Sequence, residues 1–291
     1  MAYIEARGLH KTYGATVALD RVDLQVEEGR IVGLIGANGA GKTTALNAIV
    51  GLTAYAGHLR VLGRDPWTER DRLARDVCFI TDVAVLPRWI RVSQALDFVA
   101  GIHPRFDRAK AEAFLAKTGI GADRKVGQLS KGMVTQLHLA IVMAIDARLL
   151  VLDEPTLGLD LLSRKQFYDA LLTDYLERSR TVLVATHQVE EVQHVLTDVL
   201  FIDRGRIVFS RSMEEVESRY QEVFVHPDRL ATARALHPIA ERDGVGHTVL
   251  MFDGADRRQL AALGEMRTPS VADLFLAVMS NRGPREQGAV R

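Results

Sequence analysis

A glycine-rich segment near residue 40 has the residue types and the spacing of a loop that binds phosphate groups. It reads Gly36, Ala37, Asn38, Gly39, Ala40, Gly41, Lys42 and Thr43, which fits the pattern glycine, four residues, glycine, lysine, threonine. Glycines let backbone N–H groups turn inward around phosphates, and a helix starting here adds the positive end of its dipole. Lys42 would neutralise the β- and γ-phosphates, the Thr43 hydroxyl could bind Mg²⁺, and Thr44 extends the phosphate-binding set. The alternative is a glycine-rich turn that meets a lysine by chance.

Two adjacent carboxylates follow an apolar run further along the chain. Asp153 and Glu154 come directly after Leu149–Leu152. At the carboxyl end of a buried strand, Asp153 would lie where open α/β sheets bind ligands, and it could hold Mg²⁺ through water. Glu154 could act as a general base that takes a proton from an attacking water. The alternative is an acidic pair that caps the next helix.

A second candidate anion site lies in the segment Leu129–Met133. Ser130 is suited to the N-cap of a helical stretch from Val134 to Ile145. A serine followed by Gly132 at a helix start predicts an anion-binding site separate from the first. An ordinary capped helix is the alternative.

Three runs of consecutive apolar residues predict the strands that position these groups. They are Ile31–Ile35, Leu149–Leu152 and Val182–Ala185, and helical stretches separate them. Continuous apolar runs are typical of strands buried on both faces of a parallel sheet. The sequence therefore predicts an α/β sheet with crossover helices, the first of which runs from Lys42 towards Val50.

The segments around these strands predict further elements. Val22, Leu24 and Val26 alternate with polar residues, which indicates short strands in the opening segment. The stretch from about Asp65 to Asp146 is predicted to be a mostly helical insertion, with one clear helix over Phe106–Thr118.

The sequence beyond residue 198 predicts a closing hairpin. Val199–Asp203 and Arg206–Phe209 would be its strands, joined by Arg204-Gly205. Ser212 and Glu215 then predict a capping box at the start of a helix.

The composition is that of a folded protein. The chain has 291 residues, 47% hydrophobic and 25% charged, so disorder, collagen and coiled coil are excluded as overall descriptions. Lys+Arg and Asp+Glu both number 37, and a chain without net charge does not favour nucleic acid as its main partner. The one cysteine, Cys78, is predicted to be a buried core residue. The most apolar run, Leu139–Ile145, is far shorter than the ~20 residues that cross a bilayer.

The ordered motifs resemble the nucleotide-binding domain of ATP-binding cassette (ABC) proteins over about residues 2 to 215. They are Walker A at Gly36–Thr43, a signature-like segment at Leu129–Met133, Walker B at Leu149–Glu154, a D-loop-like segment at Leu157–Asp160, and the switch histidine His187. The resemblance implies an α/β P-loop NTPase of ABC type, with a mixed sheet core, a helical insertion and an antiparallel β subdomain. The nucleotide-binding domain is expected at 1–220, with a helical subdomain at about 83–146. Beyond the match, the residue pattern from about 223 to 279 predicts a small α+β C-terminal appendix at 221–282, and the polar residues 283–291 predict a flexible tail.

Three segments are similar to ATPase subunits of bacterial ABC-2-type exporters. They are the serine-lysine-glycine-methionine form of the signature at Ser130–Met133, the segment Ile102–Asp107, and the ending Thr268–Phe275. This similarity implies a role in export.

The family resemblance also implies roles for individual residues. Two such domains pair head to tail in this family, so Ser130 and the Gly132 backbone would complete the γ-phosphate site of the partner. Tyr13 corresponds to the aromatic residue that stacks on adenine, although a surface-strand tyrosine is the alternative. His187 would bond the γ-phosphate and hold Glu154 or the attacking water.

Two positions depart from the family pattern. Asp82 stands where a glutamine is usual, so a carboxylate would either bind Mg²⁺ more strongly or repel the γ-phosphate until the metal arrives. An ordinary loop aspartate is the alternative. Lys131 and Met133 replace glycine and glutamine, and Lys131 would either assist phosphate binding or face solvent.

An apolar cluster follows Asp82. Its members are Val83, Val85, Leu86, Trp89 and Ile90. The cluster would either belong to the core of the helical insertion or form part of a groove for a cytoplasmic helix of a membrane partner.

These expectations define an ATP-binding and ATP-hydrolysing subunit of an ABC transporter, with ATP and Mg²⁺ as ligands. Its expected partners are a separate membrane permease and a second ATPase subunit, identical or different, and its expected location is the cytoplasmic face of the membrane through that permease. The rival from another class is a soluble ABC-type regulatory or mechanical ATPase. A GTPase is a weaker alternative, because the usual Asn-Lys-x-Asp motif is missing.

Overall fold

The apolar runs predicted as buried strands lie side by side in a six-stranded sheet. The computed structural model describes residues 2–80, 86–178 and 180–281. From one edge to the other, the strands are β5 (Val77–Ile80), β6 (Leu149–Asp153), β7 (Thr181–Thr186), β3 (Ile31–Ile35), β8 (Asp198–Asp203) and β9 (Arg206–Ser212). Strands β5, β6, β7 and β3 are parallel. Every residue of β3, β6 and β7 is buried, which explains why their sequences are almost entirely apolar.

The register of these strands brings three strand ends to one edge of the sheet. Ile35 is opposite Thr186, and Asp153 is opposite Ala185. The segments that follow β3, β6 and β7 are therefore neighbours. These segments contain the glycine-rich loop, the second of the two adjacent carboxylates and His187.

The opening segment forms an antiparallel sheet. Its order is β2 (Thr16–Glu27), β1 (Ala2–Tyr13), β4 (Ala56–Val61). Val22, Leu24 and Val26 are buried and alternate with exposed residues, as predicted. The expectation of short strands was wrong, because β1 and β2 each have 12 residues. Their pairing contains several register shifts, which let a long two-stranded ribbon twist and bend.

The helices of this part of the chain are α1 (Lys42–Ile49), α2 (Arg70–Leu73), α3 (Val92–Ile102), α4 (Arg108–Ala116), α5 (Lys131–Met143), α6 (Leu161–Arg178) and α7 (Val189–Val192). Short 3-10 helices occupy Val126–Gln128 and Gln193–Val195. None of the helices within the described ranges combines the length and the apolar character needed to cross a membrane.

The segment Asp65–Asp146 is less uniformly helical than predicted, because it contains β5. The four residues Val77–Ile80 pair with Leu149–Leu152 of β6. An apolar run of four is too short for its periodicity to separate strand from helix. Cys78 in β5 is buried, as predicted, and burial raises the pKa of its thiol to about 12.

The helix predicted over Phe106–Thr118 is α4, which is shorter at both ends. It begins after Asp107, whose carboxylate accepts a hydrogen bond from the Lys110 N–H at 3.0 Å. An aspartate in this position ends the extended segment and satisfies one of the first free N–H groups of the helix.

One hydrophobic core joins both sheets to α1. Its members include Ile4, Leu9, Leu19, Val22, Leu34, Leu46, Ile49, Leu149 and Leu183. Burial of each such side chain is worth about 1.5–3 kcal/mol, so α1 is firmly fixed beneath the glycine-rich loop.

The predicted hairpin and capping box are both confirmed. Arg204 and Gly205, between β8 and β9, have φ angles of 46° and 74°, the left-handed values that a tight two-residue turn requires. Ser212 accepts from the Glu215 N–H, and the Glu215 carboxylate accepts from the Ser212 N–H.

The chain divides into two compact units, residues 1–196 with 200–208 and residues 197–199 with 209–291. The second unit has an α+β fold, as predicted. Its antiparallel sheet has the order β11 (Ala240–Asp243), β12 (Thr248–Asp253), β10 (Tyr220–Val225), β13 (Gly264–Arg267), and its helices are α8 (Met213–Arg219), α9 (Leu230–Arg234), α10 (Arg257–Ala261) and α11 (Val271–Ser280), with a 3-10 turn at Pro227–Arg229. The tail predicted at 283–291 lies outside the described residues.

A buried carboxylate links the elements of this second unit. Glu222 on β10 is 1% exposed and accepts hydrogen bonds from Arg242 at 3.1 Å and from Arg267 Nε at 2.6 Å. Arg242 also donates to Asp273 of α11 at 2.6 Å. The two arginines therefore connect β10, β11, β13 and α11.

We expect Glu222→Gln to destabilise the second unit by about 1–3 kcal/mol, because the amide nitrogen would face a guanidinium that now lacks its partner. Solvent limits the loss, since both arginines are about half exposed. Urea denaturation of the full chain measures the change. Glu265→Gln, an exposed position of β13 with the same change of charge, should shift the free energy of unfolding by less than about 0.5 kcal/mol. Equal shifts in the two variants would contradict the assignment.

Candidate nucleotide-binding site

The glycine-rich segment forms the connection between β3 and α1. Gly41 has a φ of 109°, and a Cβ on it would lie 2.6 Å from the carbonyl oxygen of Ala18. A Cβ on Gly36 would lie 2.5 Å from the carbonyl oxygen of Ile202. Only glycine fits at these two positions, so the loop closes tightly over the first turn of α1, where N–H groups lack helical partners.

Lys42 is the first residue of α1, and its side chain is 6% exposed. Its Nζ donates to the carbonyl oxygens of Gly36 at 2.7 Å and Ala37 at 3.3 Å. It also lies 3.6 Å from Glu154 Oε1. A cation is therefore already in place inside the loop, where it could meet the oxygens of a phosphate.

A cavity of about 270 Å³ brings the two main motifs together. The residues that line it are Thr16, Val17, Ala18, Asn38, Gly39, Gly41, Lys42, Thr43, Thr44, Asp153 and Glu154. Walker A and Walker B thus face the same space, as the order of β3, β7 and β6 in the sheet requires. The end of the hairpin between β1 and β2 forms another wall.

Glu154 is held from several sides. It has a left-handed φ of 47°, and its N–H donates to the carbonyl oxygen of Ala185 at 2.9 Å. Its Oε1 accepts from the His187 N–H at 3.0 Å and lies 2.8 Å from His187 Nδ1. Its Oε2 accepts from the Thr186 hydroxyl at 2.9 Å. Glu154 lines the cavity and its side chain is 13% exposed, so a water in the cavity can reach it.

Asp153 ends β6 and is 2% exposed. Asp153 and Thr43 both line the cavity. Mg²⁺ prefers oxygen ligands and commonly takes only one or two from the protein, the others coming from substrate phosphates and water. These two residues fit that chemistry. Asp82, the third predicted metal residue, lies outside the described residues.

Ser130 caps α5, as predicted, and its Oγ accepts from the Met133 N–H at 3.2 Å. Within the described chain, the lining of the cavity does not include Ser130 or Gly132. Gly132 lies instead beside the D-loop-like segment, where a Cβ on it would be 3.2 Å from the carbonyl oxygen of Gly158. The structure therefore does not bring the second anion site to the first within one chain.

Tyr13 lies at the end of β1, paired with Thr16, which lines the cavity. Its side chain is 52% exposed, and Lys11 Nζ lies 5.0 Å from the centre of its ring. The ring is therefore accessible at the edge of the cavity, as stacking on a base requires.

Sequence reasoning missed a group of polar residues behind Glu154 and His187. Thr186 and Arg164 are the most connected: Thr186 bonds Glu154, and Arg164 donates to Gln188 Oε1 at 3.1 Å and to the Glu191 carboxylate. The available signal was the position of Thr186, between the strand predicted to end at residue 185 and the histidine that follows.

These features define a P-loop nucleotide-binding protein. A glycine-rich loop joins the first parallel strand to the next helix, and carboxylates lie at the end of another strand of the same sheet. Residues 19–157 match the family profile described as ABC transporter. Nod factor export ATP-binding protein I of Cupriavidus pinatubonensis is 33% identical over 281 residues, covering 90% of this chain and 84% of that protein. The chain therefore belongs to the ABC transporter ATP-binding proteins.

Other similarities agree with this assignment. Sulfate/thiosulfate import ATP-binding protein CysA of Rhodopseudomonas palustris is 34% identical over 252 residues, covering 83% of this chain and 71% of that protein. A solved ATP-binding cassette, in a dimer bound to ADP and Pi, has a similar fold with a TM-score of 0.66 and 21% identity, covering 72% of this chain and 98% of the other. The protein is an ATPase subunit of an ABC transporter, which confirms the predicted fold class, family and type of reaction.

Proposed function

We propose that this chain is the energy-coupling subunit of an exporter, and that it works as half of a head-to-tail dimer in which each ATP contacts both protomers. The observation that carries the proposal is the separation of the two anion sites. The glycine-rich loop, Asp153 and Glu154 line one cavity, whereas Ser130 and Gly132 do not line it. A second copy in the opposite orientation would bring its Ser130 and Gly132 N–H groups to the γ-phosphate.

The residues of the cavity have separate roles in binding. Lys42 and the N–H groups of the loop from Gly36 to Thr44 bind the β- and γ-phosphates, and Tyr13 stacks on adenine. Thr43, Asp153 and Asp82 are the proposed contacts of Mg²⁺ and its waters. When bound, Mg²⁺ offsets the negative charge of the phosphate groups.

Glu154 is the proposed general base of hydrolysis. A water on the open side of its carboxylate gives up a proton to it and attacks the γ-phosphorus. The bond between that phosphorus and the β–γ bridging oxygen breaks, and ADP leaves with the electron pair. His187 holds the carboxylate through its backbone N–H, which donates to Glu154 Oε1 at 3.0 Å, and its imidazole bonds a γ-phosphate oxygen.

The γ-phosphate provides the link to transport. It would contact the loop of one protomer and Ser130 of the other, so its presence favours the closed dimer and its loss favours the open one. A permease attached to both protomers would follow this movement. The chain would then lie at the cytoplasmic face of the membrane through that permease.

Two observations support export and a permease contact. The similarity to the Nod factor export protein extends over 90% of this chain, against 83% for the sulfate import protein. Of the apolar cluster after Asp82, Val83 and Val85 lie outside the described residues, while Trp89 is 74% exposed, as a residue in a docking groove would be. The segments Ser130–Met133, Ile102–Asp107 and Thr268–Phe275, which resemble those of ABC-2-type exporters, also support a role in export.

Mixing two inactive variants tests the composite site. Lys42→Ala removes the cation that binds phosphate in the glycine-rich loop. Ser130→Asp places a negative charge beside the γ-phosphate and keeps a residue that caps the helix well. A mixed dimer has one site with both defects and one intact site. Equal mixing should therefore restore about a quarter of the wild-type ATPase rate, since half of the dimers are mixed and each keeps one of two sites.

The matched control places both substitutions in one chain. Mixed with wild type, this double variant spoils both sites of the mixed dimer, so it should inhibit the wild-type protein. An active site confined to one chain would give the opposite pattern: no restoration in the first mixture and no inhibition in the second.

A further inference from the structure

The side chain of Thr186 directly contacts the carboxylate of Glu154. Its hydroxyl donates to Glu154 Oε2 at 2.9 Å, and its oxygen accepts from the Gln188 N–H, also at 2.9 Å. Thr186 is 1% exposed. Because the Gln188 N–H supplies the hydrogen of the second bond, the threonine's own hydrogen is directed towards Glu154.

The two oxygens of Glu154 are therefore held by different neighbours. His187 and Lys42 lie at Oε1, and Thr186 lies at Oε2. Lys42 and His187 also have proposed roles on the nucleotide. Thr186 does not line the cavity, so it has no such role on the nucleotide. Its contact with Glu154 can therefore serve only to fix the direction of the carboxylate.

Arg164 connects the loop after Glu154 to the segment after His187. Its Nε donates to the carbonyl oxygen of Leu159 at 2.8 Å, and it donates to Gln188 Oε1 at 3.1 Å and to the Glu191 carboxylate. Thr156 donates to the other oxygen of Glu191 at 3.3 Å. The Arg164 and Glu191 side chains are only 23% and 19% exposed, so solvent competes weakly for these bonds.

We propose that Thr186 and Arg164 are positioning residues for ATP hydrolysis. Arg164 fixes Gln188, the Gln188 backbone fixes the Thr186 hydroxyl, and that hydroxyl fixes the Glu154 carboxylate. This inference rests on the proposed role of Glu154 as general base. If the carboxylate points away from the water, kcat falls. The affinity for ATP is kept, because neither positioning residue lines the nucleotide cavity.

The first test compares two substitutions of Thr186 in the full chain. Thr186→Val keeps the shape and removes the hydroxyl, so kcat should fall roughly ten- to a hundredfold while the KM for ATP changes less than about twofold. Thr186→Ser keeps the hydroxyl and should restore kcat to within about threefold of wild type. Steady-state ATPase assays and titration with a fluorescent ATP analogue measure both quantities.

A second threonine of the same strand provides the matched control. Thr181 is fully buried at the other end of β7, and its hydroxyl accepts from the Gly29 N–H at 2.9 Å. Thr181→Val removes the same group from the same strand, away from Glu154, and should change kcat by less than about twofold. A similar loss of kcat in Thr181→Val and Thr186→Val would reduce Thr186 to a structural residue and overturn the proposal.

The second test concerns the chain of contacts that begins at Arg164. Arg164→Met should lower kcat about tenfold in the wild type and less than about twofold in a Thr186→Val background, because both residues act through one hydroxyl. If the fold loss of kcat in the double variant equals the product of the losses in the two single variants, Arg164 acts by another route. Thermal unfolding midpoints identify a variant that has lost its fold, and Arg164→Lys then repeats the test with the charge retained.

The outcomes separate this inference from the proposed function. If Glu154→Gln keeps near-normal turnover, the assignment of Glu154 as general base is wrong, and the positioning role of Thr186 and Arg164 falls with it. If Glu154→Gln is inactive while Thr186→Val turns over like wild type, or Thr186→Ser is as slow as Thr186→Val, then only the positioning role is overturned.

Discussion

Glu154→Gln is expected to lower the turnover of ATP at least about a hundredfold while ATP affinity changes little, the loss typical of removing a general base. Glutamine keeps the length and shape of the side chain, and its amide oxygen can still accept from the Thr186 hydroxyl or the His187 N–H. The amide cannot take a proton from water. The γ-phosphate would therefore persist, and the ATP-bound dimer should accumulate.

Steady-state turnover, nucleotide binding and light scattering with ATP measure the three parts of this expectation. Glu190→Gln is the matched control, because Glu190 is an exposed carboxylate on α7 close to His187 in the sequence. It should hydrolyse ATP at nearly the wild-type rate and should not accumulate the dimer. Near-normal turnover of Glu154→Gln would remove the general-base assignment, and a monomer at saturating ATP would remove the composite site.

The sequence predicted those parts of the fold for which two independent features of the sequence agreed. Strands β3, β6 and β7 are buried on both faces, and each was visible as an unbroken apolar run next to a residue with chemistry. Strand β5 has four residues, is only partly buried, and lies in a stretch of helical pattern. Its conformation depends on pairing with β6, whose residues are 72 positions away in the sequence. A local hydrophobic pattern carries no information about such a distant partner.

The candidate site divides in the same way. Walker A and Walker B follow from local spacing, because the backbone geometry of a phosphate loop needs glycines at fixed intervals. The bonds behind Glu154 join residues 32 and 24 positions apart, Glu154 with Thr186 and Arg164 with Gln188. Threonines at strand ends and arginines on helices have many uses, so these two residues gained a specific role only when the fold brought their partners within hydrogen-bond distance.

Lys42→Ala is expected to weaken ATP binding about a hundredfold or more, because a positioned cation is removed from a site that must hold several negative oxygens. The Lys42 side chain is 6% exposed, and its ammonium donates to the carbonyl oxygens of Gly36 and Ala37. Its charge is therefore little screened, and no neighbouring side chain replaces it in the lining of the cavity within the described chain. Equilibrium titration with ATP, ADP and AMP measures the effect.

Comparing the three nucleotides tests the reason for the loss as well as its size. If Lys42 acts on the β- and γ-phosphates, the variant should lose most of the preference for ATP over AMP and keep its weak affinity for AMP. A general collapse of the loop would weaken all three nucleotides equally. Lys165→Ala, an exposed position of α6 with the same change of charge, should keep the wild-type order of affinities. Because Glu154→Gln should bind ATP without hydrolysing it, and Lys42→Ala should fail before that step, the two variants together separate binding of the triphosphate from its chemistry.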